Sequence, residues 1–297
     1  MNKRDIHNNV LSKYIHCIKA GGTLLRADAV LVFLCGKKPD SKNPGGRDQI
    51  LDYVKKHEKN FRFFIAEKFF EHYKSLDNLN LLDIENNLAK YADCIIIVLE
   101  SEGTFTELGA FSLNKDLVKN IMLINSDKFK NNDDSFVTLG PIAKINKESN
   151  FKPTIYTDYK SILKVTSDIH ARLERIKRER IKHYPIIDYL TFKALKPKIK
   201  LLFISDLISL FQPITYAEII NVLNGLYGDN KYDISFEMSF LQSIDLIKYV
   251  NKYYISTMSE KNLFFIYSDI NIIKYRSNLL NLYYKYDHER INIFADR

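Results

Sequence analysis

The amino-acid sequence predicts an α/β protein in which a Rossmann-like, doubly wound parallel sheet is followed by a small, mainly α domain of winged-helix-like order. Three observations lead there. Continuous β-branched apolar runs such as AVLVFLC (29–35) and CIIIVL (94–99) have the pattern of strands buried on both faces, as in parallel sheets covered by helices. Segments with helical spacing separate these runs, and strand–helix alternation builds βαβ units. After Tyr184-Pro185 the pattern turns to consecutive helical segments and a single hairpin.

The elements follow in order. Ile6, Val10, Tyr14 and Cys17 or Ile18 have helical spacing and Gly21-Gly22 supplies a stop, so residues 1–27 read as a lead-in helix. AVLVFLCG (29–36) is a buried strand feeding the turn-rich loop GKKPDSKNPGGRD, with a helix near 47–58. RFFIAEKF (62–69) reads as the second strand and LLDIENNLAKYAD (81–93) as a helix. ADCIIIVLES (92–101) is the clearest buried strand, and NIMLINSD (120–127) is the next. Residues 158–183 read as one long helix closing an α/β domain that spans 28–184. In residues 185–297, segments 186–196, 200–211, 215–226 and 234–247 read as helices. LIKYVNKYYIST (246–257) reads as two short strands about a turn at Asn251-Lys252, which gives the winged-helix order. A last helical stretch, 259–285, is rich in Tyr, Ile and Leu and suits packing on a partner or on the first domain.

At 297 residues and 46% hydrophobic, the chain buries a core large enough for two domains. Cys17, Cys35 and Cys94 are odd in number and lack C-x-x-C spacing, which argues against a disulfide framework or zinc site and for a reducing compartment. The seven histidines lack H-E-x-x-H spacing, so neither a metal nor another cofactor is expected. MNKRDIHNNV precedes no apolar export segment and the longest apolar run is too short to span a bilayer. A cytoplasmic protein without membrane contact is expected.

The formal net charge of +8 is unevenly spread: residues 1–185 hold 31 Lys/Arg against 24 Asp/Glu, and residues 186–297 hold 13 against 12. Much of the excess lies in RLERIKRERIK (172–182), either a solvated helix face or a docking strip for an acidic or phosphate-bearing partner.

In open parallel sheets ligands bind beyond the carboxyl ends of the strands, which directs attention to the loops after Leu34 and Leu99. In ADCIIIVLESEGTFTELGAF a buried strand runs into a helix opening near Thr104, with Glu107 in its first turn. Helix N–H groups there favour an ionised carboxylate, which can attack or stabilise an electron-poor anomeric carbon. Thr104-x-x-Glu107 is equally the pattern of a capping box, and it recurs at Thr215 and Glu218, where no chemistry is assigned. Ser101, Gly103 and Thr104 stand beside Glu107 as substrate-binding candidates, and Ser101 lacks the G-x-S-x-G context of a nucleophile. In the first loop, the backbone N–H groups and basic side chains of Gly36, Lys37, Lys38, Gly45, Gly46 and Arg47 are candidates to hold phosphate, although no G-x-G-x-x-G or P-loop pattern is present.

SEGTFTELGAF resembles the G-T-x-x-E-x-G motif of the nucleoside 2-deoxyribosyltransferase-like superfamily, with Gly103, Thr104, Glu107 and Gly109 in the matching places. The resemblance spans roughly residues 28–180 and implies that Glu107 is the catalytic nucleophile. It also implies a sugar-contacting acid before the strand. Asp83 and Glu85 are the candidates, with Glu85 better matched by its distance from Asp93, and either can instead simply begin the helix. The whole layout is similar to the effector proteins of retrons, toxins of phage defence encoded beside a reverse transcriptase and its DNA–RNA product. That similarity implies hydrolysis by an N-glycosidase restrained by the reverse transcriptase and that product (msDNA), and the charges of the first loop, which free-nucleoside enzymes of the superfamily would not need, point to a phosphorylated substrate such as NAD or a nucleotide. A homo-oligomer is expected. Two alternatives stay open: base exchange by a nucleoside deoxyribosyltransferase, and a nucleotide-sensing, DNA-binding regulator. Against the regulator stands the near-neutral charge of residues 186–297.

Overall fold

The structure, a computed structural model, describes residues 11–19, 23–26, 29–38, 40, 42–57, 61–73, 80–131, 134–176, 182–184, 189–228, 231–258, 262–267 and 271–295. The chain forms two compact units, residues 29–178 and residues 1–28 together with 179–297. The lead-in segment is therefore not a separate piece. Helix α1 (residues 11–19) and strand β1 (Thr23–Leu25) belong to the second unit, because β1 pairs with strands that arrive much later in the chain.

The first unit is the α/β domain. Its elements are β2 (Val30–Cys35), α2 (Gly46–His57), β3 (Phe61–Phe64), α3 (Ala66–His72), α4 (Leu81–Ala89), β4 (Cys94–Val98), α5 (Glu102–Leu113), β5 (Ile121–Ser126), α6 (Ala143–Glu148), β6 (Ile155–Thr157) and α7 (Thr166–Glu174). The five strands form one parallel sheet in the order β3-β2-β4-β5-β6. This is the doubly wound arrangement that the sequence predicts, and its strand order reverses between β2 and β4, where such folds open a ligand crevice. Alternate residues of β2 face opposite sides. Val30, Val32 and Leu34 join Ile50, Val54, Ile162 and Ile169 in one core layer. On the other side Phe33 stacks on Phe64 at 5.0 Å and tilts against Phe111 of α5 at 6.3 Å.

Two expectations for this unit are corrected, and one strand is added. The second strand ends at Phe64, and Ala66-Glu67-Lys68, good helix formers, start α3. β6 is three residues long, too short for its periodicity to register in the sequence. Residues 158–183 are not one helix: a 3₁₀ stretch (Tyr159–Val165) leads into α7, which ends at Glu174, and Lys182–Tyr184 is strand β7, antiparallel to β1.

The second unit continues with α8 (Tyr189–Ala194), α9 (Pro197–Phe211), α10 (Tyr216–Tyr227), α11 (Ser235–Ser243), β8 (Ile247–Val250), β9 (Tyr253–Ser256), β10 (Phe265–Tyr267), α12 (Ile272–Tyr286) and α13 (His288–Ala295). The β8–β9 hairpin turns at Asn251 and Lys252, whose φ values of 46° and 68° meet the twist of the strands. Helix α9 is buried all round from Leu201 to Phe211, a stretch whose only polar residues are Ser205, Asp206 and Ser209. Its Asp206 has no solvent exposure and accepts hydrogen bonds from the backbone N–H groups of Phe264 and Phe265 and from the Tyr267 hydroxyl, fastening β10. Thr215 and Glu218 form a reciprocal capping box on α10, and Glu218 also pairs with the buried Arg290. The stretch 259–285 is corrected from one helix to a strand followed by a helix, because β10 finds its partner in β1.

Candidate functional site

The carboxyl ends of β2 and β4 lie side by side, with Cys35 opposite Ile97 in the ladder. The loops that leave these ends assemble the candidate site. After β4 the chain turns at Glu100 and Ser101 and enters α5. Ser101 is the N-cap, its N–H donates to Thr104 Oγ1 at 3.2 Å, and the Thr104 hydroxyl donates to the Ser101 carbonyl at 2.7 Å. The cap is thus made by Ser101 and Thr104, and α5 starts at Glu102. Glu107 consequently sits in the second turn, beyond the capping box, and its carboxyl is released from any capping duty. Thr104 is 1% exposed and its hydroxyl is spent on the cap, whereas Gly103 is exposed.

Glu107 points into an inward-facing cluster. The Cys35 thiol donates a hydrogen bond to its carboxyl, and Glu85 of α4 is hydrogen-bonded to it as well. The parity of β2 explains the first contact, because Cys35 shares the side of the strand on which Phe33 meets Phe111 of α5. Glu107 Oε2 is buried and has no partner. Burial, and then the neighbouring charge of Glu85, push the Glu107 carboxyl up to about 8. The expectation of a carboxylate held ionised by helix N–H groups is therefore corrected: at neutral pH Glu107 holds its proton. Glu85 is also raised, first by burial and then by the charge of Glu67. Burial pushes the Cys35 thiol well up, assisted by Glu107 and Glu85.

Among the described residues, the cation that acts on this cluster is Arg47. Arg47, only 3% exposed, directs Nη1 to both carboxylate oxygens of Glu67 at 2.9 and 3.2 Å. Its Nε and Nη2 are buried without a hydrogen-bond partner. Gly36 is what lets it in: a Cβ on Gly36 would lie 2.3 Å from the Arg47 Cβ.

The first loop is already occupied by an anion of the protein itself. The Glu100 carboxylate accepts from the backbone N–H groups of Lys37 at 3.0 Å, Gly46 at 2.6 Å and Arg47 at 3.1 Å. A Cβ on Gly45 would lie 2.8 Å from Glu100 Oε1, so the paired glycines make room for this carboxylate. The expectation that these backbone N–H groups stand open to phosphate is corrected, since Glu100 fills the start of α2 where a ligand anion would sit. Lys37 is half-buried and Lys38 exposed at the rim.

The structure therefore brings Glu107 and Glu85 together and leaves Asp83 exposed in the first turn of α4, where its N–H donates to the Asn80 cap. It adds Cys35, Glu67 and Glu100, which the sequence reading passed over. Glu67 had a signal: like Arg47, it lies in the first turn of the helix that follows a parallel strand. In the basic strip, Arg172 is buried at 8% exposure and donates to Asp168 and to the carbonyls of Phe151 and Pro153, so it belongs to the fold. Residues 177–181 of the strip lie outside the described residues. No helix among the described residues is long and apolar enough to cross a membrane.

Residues 44–249 match the family described as STM3845 retron effector protein. A protein of Escherichia coli retron Ec73, provisionally named a ribosyltransferase/DNA-binding protein, is 29% identical over 288 residues, 89% of this chain and 88% of its own length. A protein of Escherichia coli retron Ec86 with the same provisional name is 34% identical over 118 residues, 40% of this chain and 38% of its own.

Proposed function

The chain belongs to the STM3845 retron effector protein family, and from that premise we propose that it is a defence toxin that hydrolyses the N-glycosidic bond of NAD or a nucleotide. Glu107 is the catalytic carboxylate and Glu85 its proton-sharing partner. The observation that carries this reading is the hydrogen-bonded Glu85–Glu107 pair, half-buried at the strand-order reversal with Glu107 Oε2 left without a partner. Two carboxyls this close keep one proton between them through neutral pH, which supplies a carboxylate and an acid at one point.

The chemistry follows from that pair. As the bond between the anomeric carbon and the base nitrogen breaks, its electrons leave with the base and positive charge develops on the sugar. Glu107 passes its proton to the hydrogen-bonded Glu85, its carboxylate stabilises or bonds to that carbon, water adds there, and the water proton passes back to the carboxyl pair. A cationic nicotinamide ring adds a positive charge that favours the ionised form of Glu107, which suits NAD. Arg47 Nη2, which has no hydrogen-bond partner, suits a sugar hydroxyl or a phosphate oxygen, while its Nε lies 3.9 Å from Asp48 Oδ1, and Lys37 and Lys38 supply further phosphate contacts from the rim. Hydrolysis suits a toxin because it depletes a pool. The provisional ribosyltransferase name of the two relatives favours base exchange as the second reading.

The effector acts, on this reading, within a complex containing a reverse transcriptase and its DNA–RNA product, which restrains it. Helices α9 to α11 with the β8–β9 hairpin, the segments whose sequence order reads as winged-helix-like, are assigned to that contact on this reading. Purified protein incubated with NAD, nucleotides and nucleosides, followed by mass spectrometry, tests the chemistry. Release of free base by the unmodified chain and a drop of about 10³-fold or more in Glu107→Gln are expected. An undiminished rate in Glu107→Gln eliminates the mechanism, and incorporation of an added free base without net hydrolysis moves the protein to the exchange reading. Co-purification with the reverse transcriptase and its product tests the complex.

A further inference from the structure

The second unit holds a groove of ≈ 630 Å³ between α1 and α12. Helix α12 explains its character. Tyr275, Leu279 and Tyr283 form the buried stripe, while Lys274, Asn278, Asn281 and Lys285 run along the groove-facing side at helical spacing. From α1, Lys13 and Tyr14 complete the wall. Lys13, Lys274 and Lys285 are all exposed, and no acidic residue lines the groove among the described residues. Neither LSKYIHCIK (11–19) nor IIKYRSNLLNLYYKY (272–286) contains an Asp or Glu. The unit made of residues 1–28 and 179–297 holds 20 Lys/Arg against 15 Asp/Glu, so it is basic as a whole and the groove is a part of it whose lining is free of acids among the described residues. Three ammonium groups gathered without a carboxylate repel one another, a cost that an anionic ligand with several charges offsets.

The remaining lining narrows the ligand. Tyr286, 45% exposed, presents an aromatic face, and the asparagines offer neutral donors and acceptors. Spaced phosphates with bases between them match lysines interleaved with an aromatic ring. A concave groove receives a single strand, whereas reading a duplex calls for an element that protrudes into its groove. We propose that the α1–α12 groove binds a single-stranded nucleic-acid segment, with Lys13, Lys274 and Lys285 on phosphates and Tyr286 stacked on a base. The proposal rests on the reading of the chain as an effector associated with a DNA–RNA product, and gives that association a surface formed by both ends of the chain.

The test is fluorescence anisotropy of the full chain with a labelled oligothymidylate across a salt series. The variants are Lys13→Gln/Lys274→Gln/Lys285→Gln, its all-Glu counterpart, and Tyr286→Ala. Unmodified protein is expected to bind, and the triple-Gln variant to bind about 10-fold or more weakly. Its slope of log affinity against log salt should be shallower by about 2, from three lost contacts at about 0.7 each. Tyr286→Ala should lose about 5-fold or more with an unchanged slope, and the all-Glu variant should abolish binding. Melting temperature and base release from NAD, measured on the same preparations, should stay at the unmodified values. Tight binding by the unmodified chain with equal affinity and slope in the triple-Gln variant overturns the groove and leaves the effector reading standing. Absence of binding by the unmodified chain overturns the proposal too, and tighter binding of a polyglutamate of equal length reassigns the groove to an acidic protein. Co-purification with the reverse transcriptase and its product, read independently, decides the effector reading itself.

Discussion

Glu107→Gln should make the protein more stable at alkaline pH while removing its activity. A carboxyl whose folded-state value is about 8, against about 4.5 in an unfolded chain, binds its proton more tightly when folded. Its contribution to stability is fully present below the unfolded value, declines as pH rises between the two, and is gone above the folded value. At about 1.4 kcal/mol for each pH unit crossed, the ceiling on this loss is about 5 kcal/mol. Relaxation of the pocket around the charged group takes part of it. Even a third of the ceiling shifts the melting point of a unit this size by about 3–6 °C. Glutamine fills the same space, can accept from the Cys35 thiol and does not titrate, so the variant escapes the decline. Thermal melts of both proteins at about pH 5 and about pH 8.5 should give near-equal values in acid and a clearly higher value for Glu107→Gln in base. A gap that does not widen with pH, or an unmodified protein that is the more stable at about pH 8.5, refutes the argument that burial and Glu85 hold this carboxyl neutral.

Other perturbations separate structural from chemical roles. Thr104→Val should cost about 1 kcal/mol in a denaturant titration, by loss of the Ser101–Thr104 cap, with the rate of base release unchanged; a large loss of rate would return Thr104 to substrate contact. Glu100→Gln should destabilise the α/β unit by about 1–3 kcal/mol, because three backbone N–H groups lose a charged acceptor, and a melt at near-unmodified temperature would show the loop tolerates an empty nest. Glu67→Gln removes a charge that raises both Glu85 and Glu107, so the ionisation limb in the pH–rate profile should move to lower pH; movement upward contradicts the cluster as described. Gly36→Ala should fold poorly or lose activity, since its Cβ collides with Arg47, and wild-type behaviour in both melting and turnover would deny Arg47 its inward position.

The sequence by itself determined what periodicity and local chemistry can encode. Buried runs at 30–35 and 94–98 announced a parallel sheet, the Asn251-Lys252 turn announced a hairpin, and Glu107 stood out by following a buried strand at the edge where such sheets bind ligands. Only tertiary structure decided the rest, because it depends on partners distant in the chain. β1, β7 and β10 are three residues each and become strands only by pairing with one another, which joins the two ends of the chain in one unit. The choice of Glu85 over Asp83 rested on which side of α4 faces α5, and spacing along one helix cannot reveal its neighbour. The first loop carries the composition of an anion site, as its sequence indicates, yet its anion is Glu100, 54 residues beyond Gly46. The charge state of Glu107 was the least legible of all. Proximity to helix N–H groups is written in the local sequence and favours ionisation, while burial and a second carboxyl, which oppose it and win, exist only once α4, α5 and β2 have packed together.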